Sequence, residues 1–386
     1  MERCRNNNEK IALVAPYKDA NYGTLLQAYS LAKKVKEFGC ECEYISFVPI
    51  YKHNLLERIV IKIRKCLGLY KKEDKQHVGI DDYSFFSSKE FASLKDKTNV
   101  FVEKNIPHTI TYNPKTIKRS PRYRKYIVGS DQTWSLERYD KYAFYFLKFV
   151  NHRCKKYSYA PSLGTTCLSE KHKTVLKMFL PTFDRLSCRE KSNSSVLSSM
   201  IGKKVNYAID PTLLLNREFW MGFSKPISLP EQYILAYILG EKECIVEFAE
   251  RLGERRGIPV FYVVTRPKYL KMLNRLEALS PEEWVYAVNN ASCIVTDSFH
   301  GSLFSINLNR DFYTFTKRSR ERNDFNDNDR IAEVLSTFDL MSRFVEDDKV
   351  DIVLQNDCPV DYDDVNRLIT EQRKDSLDYL CSILND

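Results

Sequence analysis

The sequence of 386 residues predicts an α/β protein made of two doubly wound, Rossmann-like domains that face each other across a cleft. Three observations predict it. Short β-type runs alternate with helical periodicity along most of the chain, several of those runs end in polar residues, and the length exceeds what one hydrophobic core usually serves. The boundary falls in 216–230, which carries two prolines and little periodicity beyond its start. This gives an N-terminal domain over 1–225 and a C-terminal domain over 226–386, with the last helix expected to pack back on the first domain.

The elements follow in order. Ile11 to Pro16 reads as a strand, Tyr17 to Gly23 as a loop, and Thr24 to Phe38 as a helix, because Leu25, Leu26, Ala28, Leu31, Ala32 and Val35 recur at helical spacing. Glu43 to Phe47 returns as a strand. This β-loop-α-β opening lacks the G-x-G-x-x-G of dinucleotide binders. Asn21 and Gly23 would line the cleft, a plain tight turn being the alternative. Lys125 to Val128 is a strand that runs into Gly129, Ser130, Asp131, Gln132, Thr133 and Trp134, a mixture of hydrogen-bonding groups and an indole that suits a sugar. Lys156 to Ala160 leads to Ser162, and Asp184 to Cys188 leads to Arg189 and Glu190. After the boundary come strands at Tyr233 to Leu239, Pro259 to Val264 and Cys293 to Thr296, helices at Cys244 to Arg255 and Pro281 to Asn289, and a helical tail from Asp361 to Leu384.

The stretch C-I-V-T-D-S-F-H-G-S-L-F from Cys293 to Phe304 carries the clearest chemistry. A gapless β-branched run gives way to Asp297 and Ser298, both good helix N-caps, so His300 falls in a first helical turn. Backbone N–H groups and the positive end of a helix dipole favour a phosphate or carboxylate there. The same His could merely cap its own helix. Asp131 likewise either orients a hydroxyl or caps a helix.

Hydrophobic residues make up 43% and aromatics 13%, which fits packed globular domains. A net charge of +9 makes anionic partners reasonable. The basic residues are spread, and no nucleic-acid-binding signature accompanies them, so nucleic acid is not expected. The eleven cysteines include no C-x-x-C pair and read as reduced thiols, and the six histidines lack ligand spacing, so no metal is expected. Residues 323–329 read as a loop without EF-hand spacing. The polar start and the short apolar run Ile11 to Ala15 leave no signal peptide or membrane span, which predicts a cytoplasmic protein. Residues 53–72 read as a basic amphipathic helix, apolar at Leu55, Leu56, Ile59, Val60, Ile63, Leu67 and Tyr70. It would rest on an anionic bilayer or dock as an ordinary surface helix.

Asn21-Tyr22-Gly23, G-S-D-Q-T-W at 129–134, Y-A-P-S-L-G at 159–164, C-R-E at 188–190, D-P-T-L-L-L at 210–215 and V-T-D-S-F-H-G at 295–301 together resemble the polysaccharide pyruvyl transferase family. The resemblance covers roughly Ile11 to Leu340. It implies a fold like that of the two-domain B-type glycosyltransferases, and transfer of the pyruvyl skeleton of phosphoenolpyruvate onto two hydroxyls of a sugar acceptor as a cyclic ketal. Phosphoenolpyruvate is then a co-substrate, no cofactor is needed, and the acceptor would be a capsule or exopolysaccharide precursor, soluble or lipid-linked. By the resemblance His300 is the general acid and Arg189 grips carboxylate or phosphate bidentately. Asp131 would assist catalysis, and Asn21, Gly23, Ser130, Gln132, Trp134, Ser162 and Ser298 would contact substrate. Some members carry arginine where this chain has Ser298, so Lys317, Arg318 or Arg320 would supply the missing cation. Two other activities fit the same architecture: a nucleotide-sugar glycosyltransferase and a non-catalytic glycan-binding protein.

Overall fold

A computed structural model describes residues 10–48, 89–136, 142–240, 242–316, 328–346 and 348–386. Its N-terminal half is built on a parallel sheet of four strands, β1 (Ile11–Val14), β2 (Cys42–Tyr44), β3 (Lys125–Val128) and β4 (Lys155–Ser158), in the order β2-β1-β3-β4. Helix α1 (Tyr22–Glu37) connects β1 to β2, with its periodic apolar side chains buried. Helix α2 (Lys89–Asn105) follows. Strands β5 (Leu186–Cys188) and β6 (Val205–Tyr207) continue past β4 as a separate parallel pair, with helices α3 (Glu170–Phe179) and α4 (Lys191–Ile201) between the strands. Between β4 and β5 serine side chains stand in for a ladder. Ser158 Oγ donates to Ser187 O and Ser187 Oγ to Ser158 O, both at 2.9 Å. Small hydroxyls thus satisfy backbone groups where two strands diverge.

The C-terminal half carries a parallel sheet of six strands, β7 (Ile234–Tyr237), β8 (Val260–Val263), β9 (Arg275–Leu276), β10 (Cys293–Thr296), β11 (Asp311–Phe315) and β12 (Phe344–Val345), ordered β12-β11-β10-β7-β8-β9. Strand β10 lies between β7 and β11 and is buried along its length, as a gapless run of β-branched residues requires. The region read as a linker is partly helical, with α5 (Arg217–Phe223) started by the Asn216 side chain accepting from Phe219 N–H. Helices α6 (Glu243–Arg256) and α7 (Pro281–Asn290) follow, the latter opened by a reciprocal capping box between Ser280 and Glu283. Helix α8 (Phe299–Asn307) is buried on every side, and α9 (Asn328–Thr337) comes after it. Among the described residues no helix is long and apolar enough to cross a membrane.

The halves are joined tightly. One apolar cluster runs from Ile11 in β1 through Leu235 in β7 to Leu384, so the two sheets share a core on their facing sides. Tyr22 stacks on Trp284 with centroids 5.2 Å apart, and its hydroxyl donates to Leu279 O at 3.0 Å. The last helix, α10 (Asp363–Leu384), lies on the N-terminal half, where Tyr379 Oη donates to Ser158 O at 2.8 Å and Ser376 Oγ accepts from Ile209 N–H at 3.0 Å.

Candidate active site

An open parallel sheet forms a crevice where successive crossovers leave in opposite directions. That point lies between β1 and β3 in the N-terminal sheet and between β7 and β10 in the C-terminal sheet. After β1, Asn21 Oδ1 accepts from the backbone N–H groups of Gly23 at 3.0 Å and Thr24 at 3.3 Å, which starts α1. After β3 the chain turns sharply through Ser130 and Asp131, and Asp131 takes φ of +69°, a left-handed conformation that costs energy in any residue with a Cβ. After β10, Ser298 Oγ accepts from Gly301 N–H at 3.2 Å, so α8 begins and His300 sits in its first turn.

These pieces meet at the ring of His300. An ideal Cβ built on Gly23 would lie 2.2 Å from His300 Nδ1 and 2.3 Å from Cγ, so the ring rests directly on the α1 backbone and no side chain fits there. On its other edge His300 Nε2 stands 3.5 Å from Asp210 Oδ2, an ionic separation, and Nε2 makes no hydrogen bond. Asp210 Oδ2 also accepts from Arg189 Nη1 at 2.9 Å and Ser130 Oγ at 3.2 Å, while Oδ1 accepts from Thr212 N–H at 3.0 Å and Thr212 Oγ1 at 2.9 Å. Arg189 further reaches Glu190 Oε1 through Nε at 3.4 Å, lays its guanidinium over the Phe299 ring at 4.1 Å, and leaves Nη2 buried without a hydrogen bond. Glu190 Oε1 accepts from Ser162 Oγ at 2.5 Å, and Asp131 Oδ2 accepts from Thr24 Oγ1 at 3.0 Å.

The cluster is almost fully buried, with Asp210 2%, Arg189 4% and His300 8% exposed. Burial alone would push the Asp210 carboxyl up. His300, Arg189 and the Thr212 N–H outweigh it, and together they hold the group below the ordinary carboxylate range. Burial likewise disfavours the Arg189 charge, and the nearby carboxylates of Glu190, Asp210 and Asp131 reverse that, so its pKa is raised. Three carboxylates therefore act on one guanidinium. Among the described residues no group of three or more His, Cys, Asp or Glu is arranged to hold a metal ion.

The profile of the polysaccharide pyruvyl transferase family matches residues 21–316, a span that includes every residue of this cluster. The chain belongs to the polysaccharide pyruvyl transferase family. No curated protein matches it by sequence. Among solved structures it is similar to UDP-GlcNAc 2-epimerase from Methanocaldococcus jannaschii, with 10% identity and a TM-score of 0.46 over 94% of this chain and 98% of that one. It is similar also to MurG from Acinetobacter baumannii, with 7% identity and a TM-score of 0.45 over 97% and 99%. A UDP-glucosyltransferase from Polygonum tinctorium shares 10% identity at a TM-score of 0.44 over 98% and 99%. The assignment of the fold as two Rossmann-like parallel sheets rests on the strand order itself.

Within this family member the structure gathers Asn21, Gly23, Ser130, Asp131, Ser162, Arg189, Ser298 and His300 around the meeting of the two crevices. Their contacts refine what the sequence led us to expect. Arg189 was expected to grip a ligand with two N–H groups, but Asp210 and Glu190 already take Nη1 and Nε, which leaves Nη2 alone. Trp134 was expected to face a sugar. Instead its indole is wholly buried in the core on the far side of the N-terminal sheet, stacked on Phe146 at 5.8 Å and edge-on to Phe183 at 6.0 Å. Gln132 is fully buried too. Ser162 and Ser298 spend their hydroxyls on Glu190 and on the α8 N-terminus. Lys317, Arg318, Arg320 and the basic segment 53–72 lie outside the described residues.

Asp210, which joins Arg189, Ser130 and His300, is the member of the cluster that sequence reasoning passed over. It appeared only as the first letter of D-P-T, and Asp-Pro reads as a turn opener. The signal available was its position three residues after a short strand, a strand-end location like those of Asp131 and Arg189.

Proposed function

We propose that the chain transfers the pyruvyl group of phosphoenolpyruvate to two hydroxyls of a sugar in a polysaccharide precursor, closing a cyclic ketal and releasing phosphate. One observation carries the proposal: the His300 ring, seated on Gly23 between the halves, has its Nε2 unbonded beside an ionised Asp210. In the reaction His300 gives its proton to C3 of the enolpyruvyl group, C2 becomes an oxocarbenium-like centre, and a sugar hydroxyl attacks it. The C2–O bond to phosphate breaks, the second hydroxyl bonds to C2, and the two hydroxyl protons leave with solvent and phosphate. Asp210 stabilises the charged ring before transfer. Arg189 contributes one N–H, from Nη2, to an anionic substrate group. The start of α1 and the start of α8 meet where the His300 ring rests on Gly23, and helix N-termini favour an anion. Asp131, beside Thr24, stands on the acceptor side and helps to orient a hydroxyl.

A nucleotide sugar is a poorer fit because of Asp297. Its carboxylate oxygens accept the backbone N–H groups of Leu239 and Gly240 at 2.6 Å each, at the β7–β10 switch point where a diphosphate would need such donors. The chain satisfies these groups itself. The deciding experiment incubates the protein with phosphoenolpyruvate and candidate acceptors, soluble and lipid-linked, and follows phosphate release and the mass gain of one pyruvate ketal. Release that depends on sugar and disappears in His300→Ala supports the proposal. Turnover with nucleotide sugars alone, or none with any donor, overturns it in favour of a glycosyltransferase or a glycan-binding protein. A lipid-linked acceptor also gives residues 53–72 a role at an anionic membrane surface. Pelleting with anionic vesicles that is lost after reversal of Arg58, Lys62, Arg64 and Lys65 would support that role, and no pelleting of the intact protein would remove it.

A further inference from the structure

A second cationic feature lies at the opposite end of α8 from His300. Asn307, the last residue of that helix, donates through Nδ2 to Thr212 O at 3.1 Å and Leu215 O at 2.9 Å, and its Oδ1 accepts from Arg373 Nη2 at 3.2 Å. Arg373 also donates through Nε to Leu213 O at 2.7 Å. This knot brings together Arg217, two residues beyond Leu215, and Arg310, three beyond Asn307. Both arginines are half-buried, and the Nε atom of each is buried without a hydrogen bond. Neither guanidinium takes part in an ion pair among the described residues. Asp311, next in sequence to Arg310, is already held by Arg256 at 2.8 Å and Arg343 at 3.2 Å. Glu218 is exposed and acts on Arg373. Burial and the neighbouring Arg217 both lower the pKa of Arg310, as expected of two close guanidiniums that repel.

Two desolvated like charges with unsatisfied donors and no ion-paired carboxylate are costly by themselves, and a bound anion removes both costs. Paired guanidiniums match the oxygen spacing of a phosphoryl group. We propose that Arg217 and Arg310 form a binding site for a phosphate or phosphate monoester, separate from His300. Seven residues of α8 separate His300 from Asn307, which sets the two sites roughly 10 Å or more apart along its axis. Arg217 opens α5, which leads out of the N-terminal half, and Arg310 immediately precedes β11 of the C-terminal sheet. An anion held by both braces the seam between the halves where the chain crosses it. The site does not depend on which reaction the cleft performs.

The test compares thermal unfolding of the full chain with Arg217→Gln, Arg310→Gln and the double variant, in inorganic phosphate and in sodium chloride of matched ionic strength. For the unaltered protein, phosphate at ten times its dissociation constant raises the midpoint by roughly 2 °C more than chloride does. His300→Ala keeps that rise and the double glutamine variant loses it. Without phosphate the glutamine variants melt at or above the parent midpoint, because a repulsion is gone, and this also shows that they fold. A phosphate rise that survives in the double variant, or no rise beyond chloride in the parent, overturns the proposal.

Discussion

The two crevices that meet at His300 are built on opposite electrostatic plans. On the N-terminal side Asp131, Arg189, Glu190 and Asp210 bury ionisable groups together, and their hydrogen bonds run from one strand end to the next. On the C-terminal side Asp297, fully buried, is satisfied by the backbone of its own half, and α8 offers a mostly small, neutral N-terminal turn that carries the ring. One half carries the buried charges and the other carries the imidazole ring. The two sides touch where the His300 ring rests on Gly23, so in the proposed reaction the chemistry depends on that contact.

Removing the ring breaks this division of labour most completely. His300→Ala is expected to lower kcat on the order of a hundred- to ten-thousand-fold, the usual worth of a positioned acid, with thermal stability close to the parent. Gly23→Ala tests the register. Its methyl group would lie 2.2 Å from Nδ1, so ring or helix must move, and a displacement of about 1 Å costs on the order of a hundredfold in rate. Parent-like turnover in that variant would show that the seat of the ring is unimportant. Arg189→Met separates a structural guanidinium from a substrate grip. It strands Asp210 and Glu190 inside the protein, so chemical denaturation should show a loss of about 3–5 kcal/mol. A stable variant with only a raised KM would mean that the residue serves the ligand alone.

The comparison also explains what the sequence disclosed. Periodicity carries local information, so α1 was legible from Leu25, Leu26, Leu31 and Val35, and β10 from its unbroken run. His300 was legible because a strand, an N-cap and a titratable ring follow one another within a few residues. Asp210 was hidden because its meaning lies in partners far along the chain, Ser130 at 80 residues and Arg189 at 21. Trp134 misled for the complementary reason: loop composition says that a residue lies at a strand end, but the twist of the turn, with Asp131 left-handed, decides which face it enters. Pairings across domains and the sense of a strained turn are tertiary facts, and a linear pattern does not encode them.

Asp210→Asn refines the charge plan at a smaller expected amplitude. The folded carboxyl is held below its ordinary value, so its ionised form stabilises the fold above about pH 4, and that contribution is lost as acid protonates it. An amide has nothing to lose over this range. Urea denaturation of parent and variant should therefore differ most near pH 7 and converge below about pH 4. Ser130→Ala should have the least effect. It deletes one of the donors to Asp210 while His300, Arg189 and Thr212 remain, which predicts about 0.5–1.5 kcal/mol of stability and a shift of the same convergence towards higher pH. If Ser130→Ala moved the convergence as far as Asp210→Asn abolishes it, the hydroxyl rather than the buried cations would be holding that carboxylate charged, and the division between a charged half and a titrating half would have to be redrawn.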